Sequence, residues 1–377
     1  MDSASQDYKQ TRTTGLGGAS GYLTIDLRAL ARNYEKLAAE VAPARAAAVV
    51  KANAYGLGAD RVATKLYEHG CRHFFVAQFL EALHLRPFLA ADATIFVLNG
   101  LQPGNEVAWA WDGIVPVINS LEQWQQWARA AQALGRGLPA VLQFDTGMSR
   151  LGVPPEERAA LAGLLRASDG IDVLSIMSHL ASADDSASEQ NGDQLAELNR
   201  IAADFPEFDL CFANSGGVFL GEAYHGVLAR PGIALYGGAP TVGMPNPMEP
   251  VVQLDVAVVQ TRTVPAGTRV GYGGAHITTG ETRLATIAAG YADGLPRSLS
   301  DRGAVYCNGI RLPILGRVSM DSITVNISAL PEDRLRLGSL VEVIGPNQTL
   351  EDVARDAGTI SYEILTGLGH RYERRYR

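Results

Sequence analysis

Eight short apolar runs, spaced along some 190 residues and separated by helical or loop stretches, constrain this chain more than any other feature. They are AAAVVK (46–51), HFFVA (73–77), ATIFVL (93–98), GIVPVI (113–118), PAVLQF (139–144), DVLSIM (172–177), DLCFA (209–213) and VLARPGIALY (227–236). None shows the alternation of apolar and polar residues that a strand with one wet face requires, so each reads as a strand buried on both faces of a parallel sheet. Eight such strands alternating with helices predict a (β/α)8 TIM barrel, although a doubly wound open sheet shows the same alternation. Ahead of them, DLRALARNYEKLAAEV places Leu27, Leu30, Ala31, Tyr34 and Leu37 on one helical stripe, with Asp26 positioned to cap its first turn.

The texture changes after the Gly- and Pro-rich stretch GGAPTVGMPNPMEP (237–250). VVQLDVAVVQTRTV, RLATIAAGY, AVYCNGIRLPIL, DSITVNI and SLVEVIG are β-like, and Asn308-Gly309 between two apolar runs signals a hairpin. Thr349 with Asp352 forms a capping box for one short helix, and Thr359-Ile-Ser-Tyr-Glu opens another. The expected organisation is a flexible arm over 1–21, a barrel over 22–240 and a mostly β domain over 241–377, whose sheet can also take a strand from the N-terminal segment. With 47% hydrophobic and 19% charged residues in 377, the chain has material for both cores.

Composition also excludes. A net charge of −8 is the wrong sign for neutralising a phosphate backbone, so nucleic acid is not an expected partner. No apolar run approaches the ~20 residues that cross a bilayer, and the polar N-terminus lacks the apolar stretch of a signal peptide. Three scattered cysteines, Cys71, Cys211 and Cys307, build neither a disulfide framework nor a paired-cysteine zinc site. The expected location is the cytoplasm.

The first barrel strand runs into Lys51-Ala-Asn-Ala-Tyr55-Gly-Leu-Gly, which puts a lysine where a strand meets its βα loop, the catalytic face of a barrel. A lysine at a strand end is as readily a solvated surface group. Here the five preceding residues are apolar, and a partly desolvated lysine has a lowered pKa suited to Schiff-base chemistry. Asn214-Ser215-Gly216-Gly217 and Arg230-Pro231-Gly232-Ile233 end the seventh and eighth strands, where this fold binds phosphate. Lysine and cradle together point to a phosphorylated aldehyde, pyridoxal phosphate. Asp145-Thr146-Gly147 matches the aspartic-protease triplet, but that chemistry needs two carboxylates sharing a proton and no second copy exists. No metal site is expected. His179 ends the sixth strand and projects at the same face, though a satisfied core histidine fits it equally well.

These residues resemble the alanine racemases. The likeness is carried by Val50-Lys51-Ala-Asn-Ala-Tyr55-Gly-Leu-Gly, Asp145-Thr-Gly-Met-Ser-Arg150-Leu-Gly, Met177-Ser-His179, Ala213-Asn-Ser215 and Arg230-Pro-Gly-Ile-Ala-Leu-Tyr236-Gly. It continues through Gly271-Tyr272-Gly, Gly290-Tyr291-Ala-Asp-Gly and Gly316-Arg-Val-Ser-Met320-Asp321, covering about 22–377. The resemblance implies a fold-type III barrel with a β domain, pyridoxal phosphate as cofactor, and a homodimer with composite active sites. It implies Lys51 as the cofactor lysine and base on one face of the substrate Cα, with Tyr272 of the other protomer as base on the opposite face. By the same likeness Arg230 faces the pyridine nitrogen, and His179 connects Arg230 towards Tyr272. Tyr55, Ser215, Gly232, Ile233 and Tyr362 hold the phosphate. Arg150, Met320 and Asp321 belong to the substrate side, with Tyr291 and Tyr362 narrowing the entrance. One position departs from the pattern: Gln143 stands where many relatives carry a lysine that becomes carbamylated and braces the substrate arginine.

The expected activity is interconversion of L- and D-alanine by two-base proton transfer, with D-alanine destined for peptidoglycan. Two alternatives share parts of this pattern: a broader racemase accepting serine or larger side chains, and a non-catalytic protein sharing the barrel and lysine. The latter type lacks the β domain that carries Tyr272 and Met320-Asp321.

Overall fold

The computed structural model describes residues 18–167 and 170–377. The arm expected over 1–21 lies for the most part outside them. The chain divides into two compact units, one of Asp26–Val251 and one in which the segment ending at Ile25 joins Val252–Arg377.

In the first unit all eight apolar runs contribute parallel strands. Seven of them, from Ala48–Val49 through His73–Val76, Thr94–Val97, Ile114–Ile118, Leu138–Gln143 and Ile171–Met177 to Leu210–Cys211, pair in sequence order. The eighth, Leu228–Ala229, pairs in parallel with Arg45–Ala46 at the start of the first run. The N–H groups of Ala47 and Val49 donate to the carbonyls of Ala229 and Pro231 at 2.8 and 3.1 Å. That of Arg230 reaches Ala213 at 2.8 Å. The first strand therefore has the eighth on one side and the second on the other, the ring arrangement of a barrel rather than the free edges of an open sheet. Three runs are markedly shorter as strands than their sequence suggests, the seventh keeping only Leu210–Cys211. Pro231-Gly232 ends the eighth after two residues and turns the chain into a 3-10 helix over Ile233–Tyr236. Lys51 leaves the first strand altogether.

The helix read from Asp26 spans Leu27–Glu40, with the Asp26 carboxylate accepting from the N–H groups of Arg28 and Ala29. Residues 237–250, expected to separate the domains, pack with this helix. The amide of Asn33 donates to the carbonyl of Glu249 and accepts from its N–H, while Arg32 pairs with the Glu249 carboxylate.

The second unit is built on an antiparallel sheet around the long strand Val252–Val264, which pairs with Gly21–Ile25, Thr282–Ile287 and Leu340–Ile344. Gly21–Ile25 also pairs in parallel with the C-terminal strand Glu373–Tyr376, so the two ends of the chain meet in one sheet. Asn308-Gly309, with φ of 49° and 79°, turns the hairpin between Ala304–Cys307 and Ile310–Pro313. The Thr349–Asp352 capping box starts the helix Leu350–Ala357. No helix among the described residues is long and apolar enough to cross a membrane.

Candidate active site

The motif after the first barrel strand folds into an unusual backbone. Ala52, Asn53, Ala54 and Tyr55 all lie in the left-handed region, with φ of 52°, 55°, 53° and 55°. Each non-glycine residue there costs roughly 1–2 kcal/mol, so four in a row persist only if their surroundings hold them. Part of the support is local. Ala54 N–H donates to Val50 O, Gly56 N–H to Ala52 O and Gly58 N–H to Asn53 O, while Asn53 Oδ1 accepts from Ala59 N–H at the start of the helix Ala59–Glu68. The two glycines continue the turn at φ of 85° and 97°. Further support comes from Glu81 of the helix Phe79–Leu85, whose carboxylate accepts from the N–H groups of Ala52, Ala77 and Gln78 at 2.6, 2.7 and 3.0 Å. The sequence reading missed Glu81, whose three-residue offset from Gln78 signals no more than a helix start.

The turn leaves Lys51 at the mouth of the barrel unit, half-buried. Burial pushes its amine pKa down, as does the charge of Arg150, while Glu81 opposes them. Arg150 is exposed, at the end of a loop that Asp145 shapes by accepting the N–H groups of Gly147, Met148 and Ser149 at 2.9–3.1 Å. The protease-like triplet is thus a loop cap. Gln194, also unnoticed in the sequence, ties this loop to the segment after the sixth strand: its amide donates to Thr146 Oγ1 and to His179 O, and accepts from Ala181 N–H. Gln143 is buried at the end of its strand, 5% exposed.

His179 follows the sixth strand and Arg230 the eighth, with the seventh, Leu210–Cys211, between them. Burial lowers the His179 pKa to about 3, and the charges of Arg230, Arg150 and Lys51 add to the effect, so the imidazole is neutral at working pH. Arg230 is 3% exposed and directs its guanidinium to Cys211 Sγ, Ser178 O and Phe212 O. Ser215 Oγ accepts from the N–H groups of Gly232 and Ala234 at 2.8 and 3.3 Å. Among the described residues the N–H groups of Gly216 and Ile233 have no hydrogen-bond partner, which suits them to an anion. A Cβ on Gly232 would stand 2.3 Å from the Tyr55 hydroxyl, so glycine keeps the space beside that phenol open. Tyr55 is backed by Tyr236, with ring centroids 4.7 Å apart.

The remaining expected residues belong to the β unit. Tyr272 follows Gly271 at the tip of the hairpin Arg269–Val270/His276–Ile277 and is 70% exposed. Tyr291, Met320 and Tyr362 are exposed to a lesser degree, at 45%, 52% and 42%. The loops of Tyr291 and Met320 are joined: Tyr291 and Ala292 N–H donate to Ser319 and Met320 O at 3.0 Å each, and Arg371 bridges Asp293 and Asp321. Gly290 is required there, because a Cβ would come within 2.2 Å of Ser319 O. Asp321 therefore braces a loop in this structure.

A parallel barrel whose strand-end lysine shares its mouth with a glycine-walled, cation-rich cradle defines an enzyme of the pyridoxal-phosphate barrel class. The family model for the alanine racemase N-terminal domain matches residues 25–240, and that for the alanine racemase C-terminal domain matches 251–376. A Rhizobium johnstonii protein named as a catabolic alanine racemase is 73% identical over 98% of both chains. An Agrobacterium fabrum protein of the same name is 62% identical, covering 98% of this chain and 95% of its own. The crystal structure of alanine racemase from Bartonella henselae with covalently bound pyridoxal phosphate superposes with a TM-score of 0.91 at 45% identity, over 96% of this chain and all of that one. The chain belongs to the alanine racemase family.

The state of His179 sets a pH dependence. Its pKa is about 3 folded against an ordinary 6.5, so between those values the unfolded chain binds the extra proton and stability falls as pH drops. His179→Gln should flatten part of that decline. Urea midpoints of the two proteins at pH 7 and pH 5 measure it, and equal slopes would mean that His179 titrates normally when folded.

Proposed function

We propose that this chain interconverts L- and D-alanine with pyridoxal phosphate held at Lys51. The observation that supports this reading most strongly is one barrel mouth carrying Lys51, Arg150, Arg230 and a neutral His179 beside the Ser215–Gly232 cradle. Such a site suits a ligand with a carbonyl to meet the amine and anionic groups to meet the cations. The cofactor supplies the electron sink that makes the substrate Cα–H acidic.

The protein's part is assigned residue by residue. Ser215 Oγ, the N–H groups of Gly216 and Ile233, and the Tyr55 phenol bind phosphate, with Tyr362 as a further contact. Arg230, locked by its buried partners, places a permanent positive charge towards the ring nitrogen and keeps a proton off it. Arg150 binds the substrate carboxylate with the Met320 backbone, while Tyr291 and Tyr362 limit the side chain admitted. Lys51, with its depressed pKa, takes or gives a proton on one face of Cα. The Tyr272 phenol of a second protomer serves the other face; its exposure on its own unit is what completing another chain's site requires. Racemisation needs two such groups, because the proton that leaves one side is replaced from the opposite one.

If the sites are composite, Lys51→Ala and Tyr272→Phe are each nearly inactive. Mixed dimers then hold one site with both defects and one with neither. After subunit exchange about a quarter of full activity should return, scored as D-alanine formed from L-alanine by chiral chromatography. No recovery despite demonstrated exchange would place both bases in one chain, and no D-alanine from the wild type would overturn the activity itself.

Gln143 supports a carbamate-free site, since a neutral amide cannot take up carbon dioxide as a lysine does. Racemisation rates should be the same with and without added bicarbonate in degassed buffer. Strong activation would contradict this.

The catabolic names of the relatives at 73% and 62% identity favour a role in alanine breakdown over the peptidoglycan supply expected from the family at large. A strain lacking the gene should grow without D-alanine but poorly on alanine as carbon source. D-alanine auxotrophy would restore the peptidoglycan role.

A further inference from the structure

We infer that Glu81 is the positioning residue of this site: its carboxylate fastens the left-handed turn behind Lys51 to the start of the next helix and places a fixed negative charge by the lysine. The inference rests on the reading of Lys51 as the cofactor lysine.

The geometry carries it. Both oxygens of Glu81 are committed, Oε1 to Ala52 N–H at 2.6 Å and Oε2 to the N–H groups of Ala77 and Gln78 at 2.7 and 3.0 Å. All three partners are donors, so a carboxylate satisfies them and an amide cannot: glutamine has one oxygen for two places and turns an N–H donor towards the other. The bond to Ala52 holds the first of four left-handed residues, immediately after Lys51, where the backbone has least freedom to relax. It also joins the first βα loop to the second, Ala77-Gln78 at the end of the neighbouring strand His73–Val76.

Charge is the second part of the role. Arg150 lowers the Lys51 pKa, and Lys51 in turn acts on His179, which is neutral; Glu81 is the one group that opposes burial and Arg150 at Lys51. It keeps the amine basic enough to hold a proton during exchange with the substrate while burial keeps it nucleophilic. A carboxylate serving only as a helix cap would stabilise Phe79–Leu85 and leave Lys51 unaffected.

The test reads the lysine in the cofactor-free protein. Competitive acetylation across pH, with peptide mapping of the Lys51 peptide, gives a titration midpoint from the profile and accessibility from its high-pH plateau. Glu81→Gln should lower the midpoint by about one unit, making Lys51 up to roughly tenfold more reactive at neutral pH. Leu80→Gly, which weakens the same helix without touching the turn, should leave the midpoint in place. Glu81→Asp keeps the charge but falls short of Ala52, so it should retain the midpoint and bind added pyridoxal phosphate roughly tenfold more weakly by absorbance titration. An unmoved midpoint in Glu81→Gln, or wild-type cofactor affinity in Glu81→Asp, overturns the role. Borohydride trapping of wild-type protein on a lysine other than Lys51 instead overturns the reading of the site, whatever the variants do.

Discussion

The left-handed turn at Ala52–Tyr55 is the constraint on which the site depends. A strand that simply continued would carry Lys51 into the sheet, and a right-handed helix starting at Ala52 would turn the loop the other way. The strained turn instead takes the chain off the first strand within one residue and brings Tyr55 back against the eighth strand end at Gly232. Its residue types follow from that demand. Alanine offers little bulk to clash, asparagine tolerates the conformation and uses its side chain to cap the next helix, and glycines at 56 and 58 complete the reversal. The motif is thus a backbone solution as much as a chemical one.

Electrostatics at the mouth oppose those of the whole chain. The protein carries a net charge of −8, yet the barrel mouth gathers Lys51, Arg150 and Arg230, with Glu81 acting against burial and Arg150 at Lys51. Such a concentration of positive charge costs folding energy unless anions occupy it, and a phosphate and a substrate carboxylate are anions of the right kind. Burial keeps His179 neutral, and the same field adds to the effect. Within the mouth Arg230 is caged by Cys211 Sγ and two carbonyls, which fixes its direction before any ligand arrives.

Sequence alone determined the strands, the hairpin and the caps, and it placed a lysine at the end of the first strand. These depend on local pattern: continuous apolar runs for strands buried on both faces, Asn308-Gly309 for positive φ at two successive residues, and Asp26 and Thr349 for free N–H groups at helix starts. The motifs naming Lys51, Ser215 and Arg230 are equally local, because a strand end and its loop are adjacent in the chain. The tertiary structure decided what joins distant segments. It put Gly21–Ile25 in a sheet with Glu373–Tyr376, 350 residues away, which no periodicity announces. It gave Asp145 the work of a loop cap, made Gln194 and Glu81 the ties between neighbouring strand ends, and engaged Asp321 with Arg371. The physical reason is the same in each case: a hydrogen bond between side chain and backbone has a short reach, and which groups come within that reach is known only once the barrel and the sheet have closed.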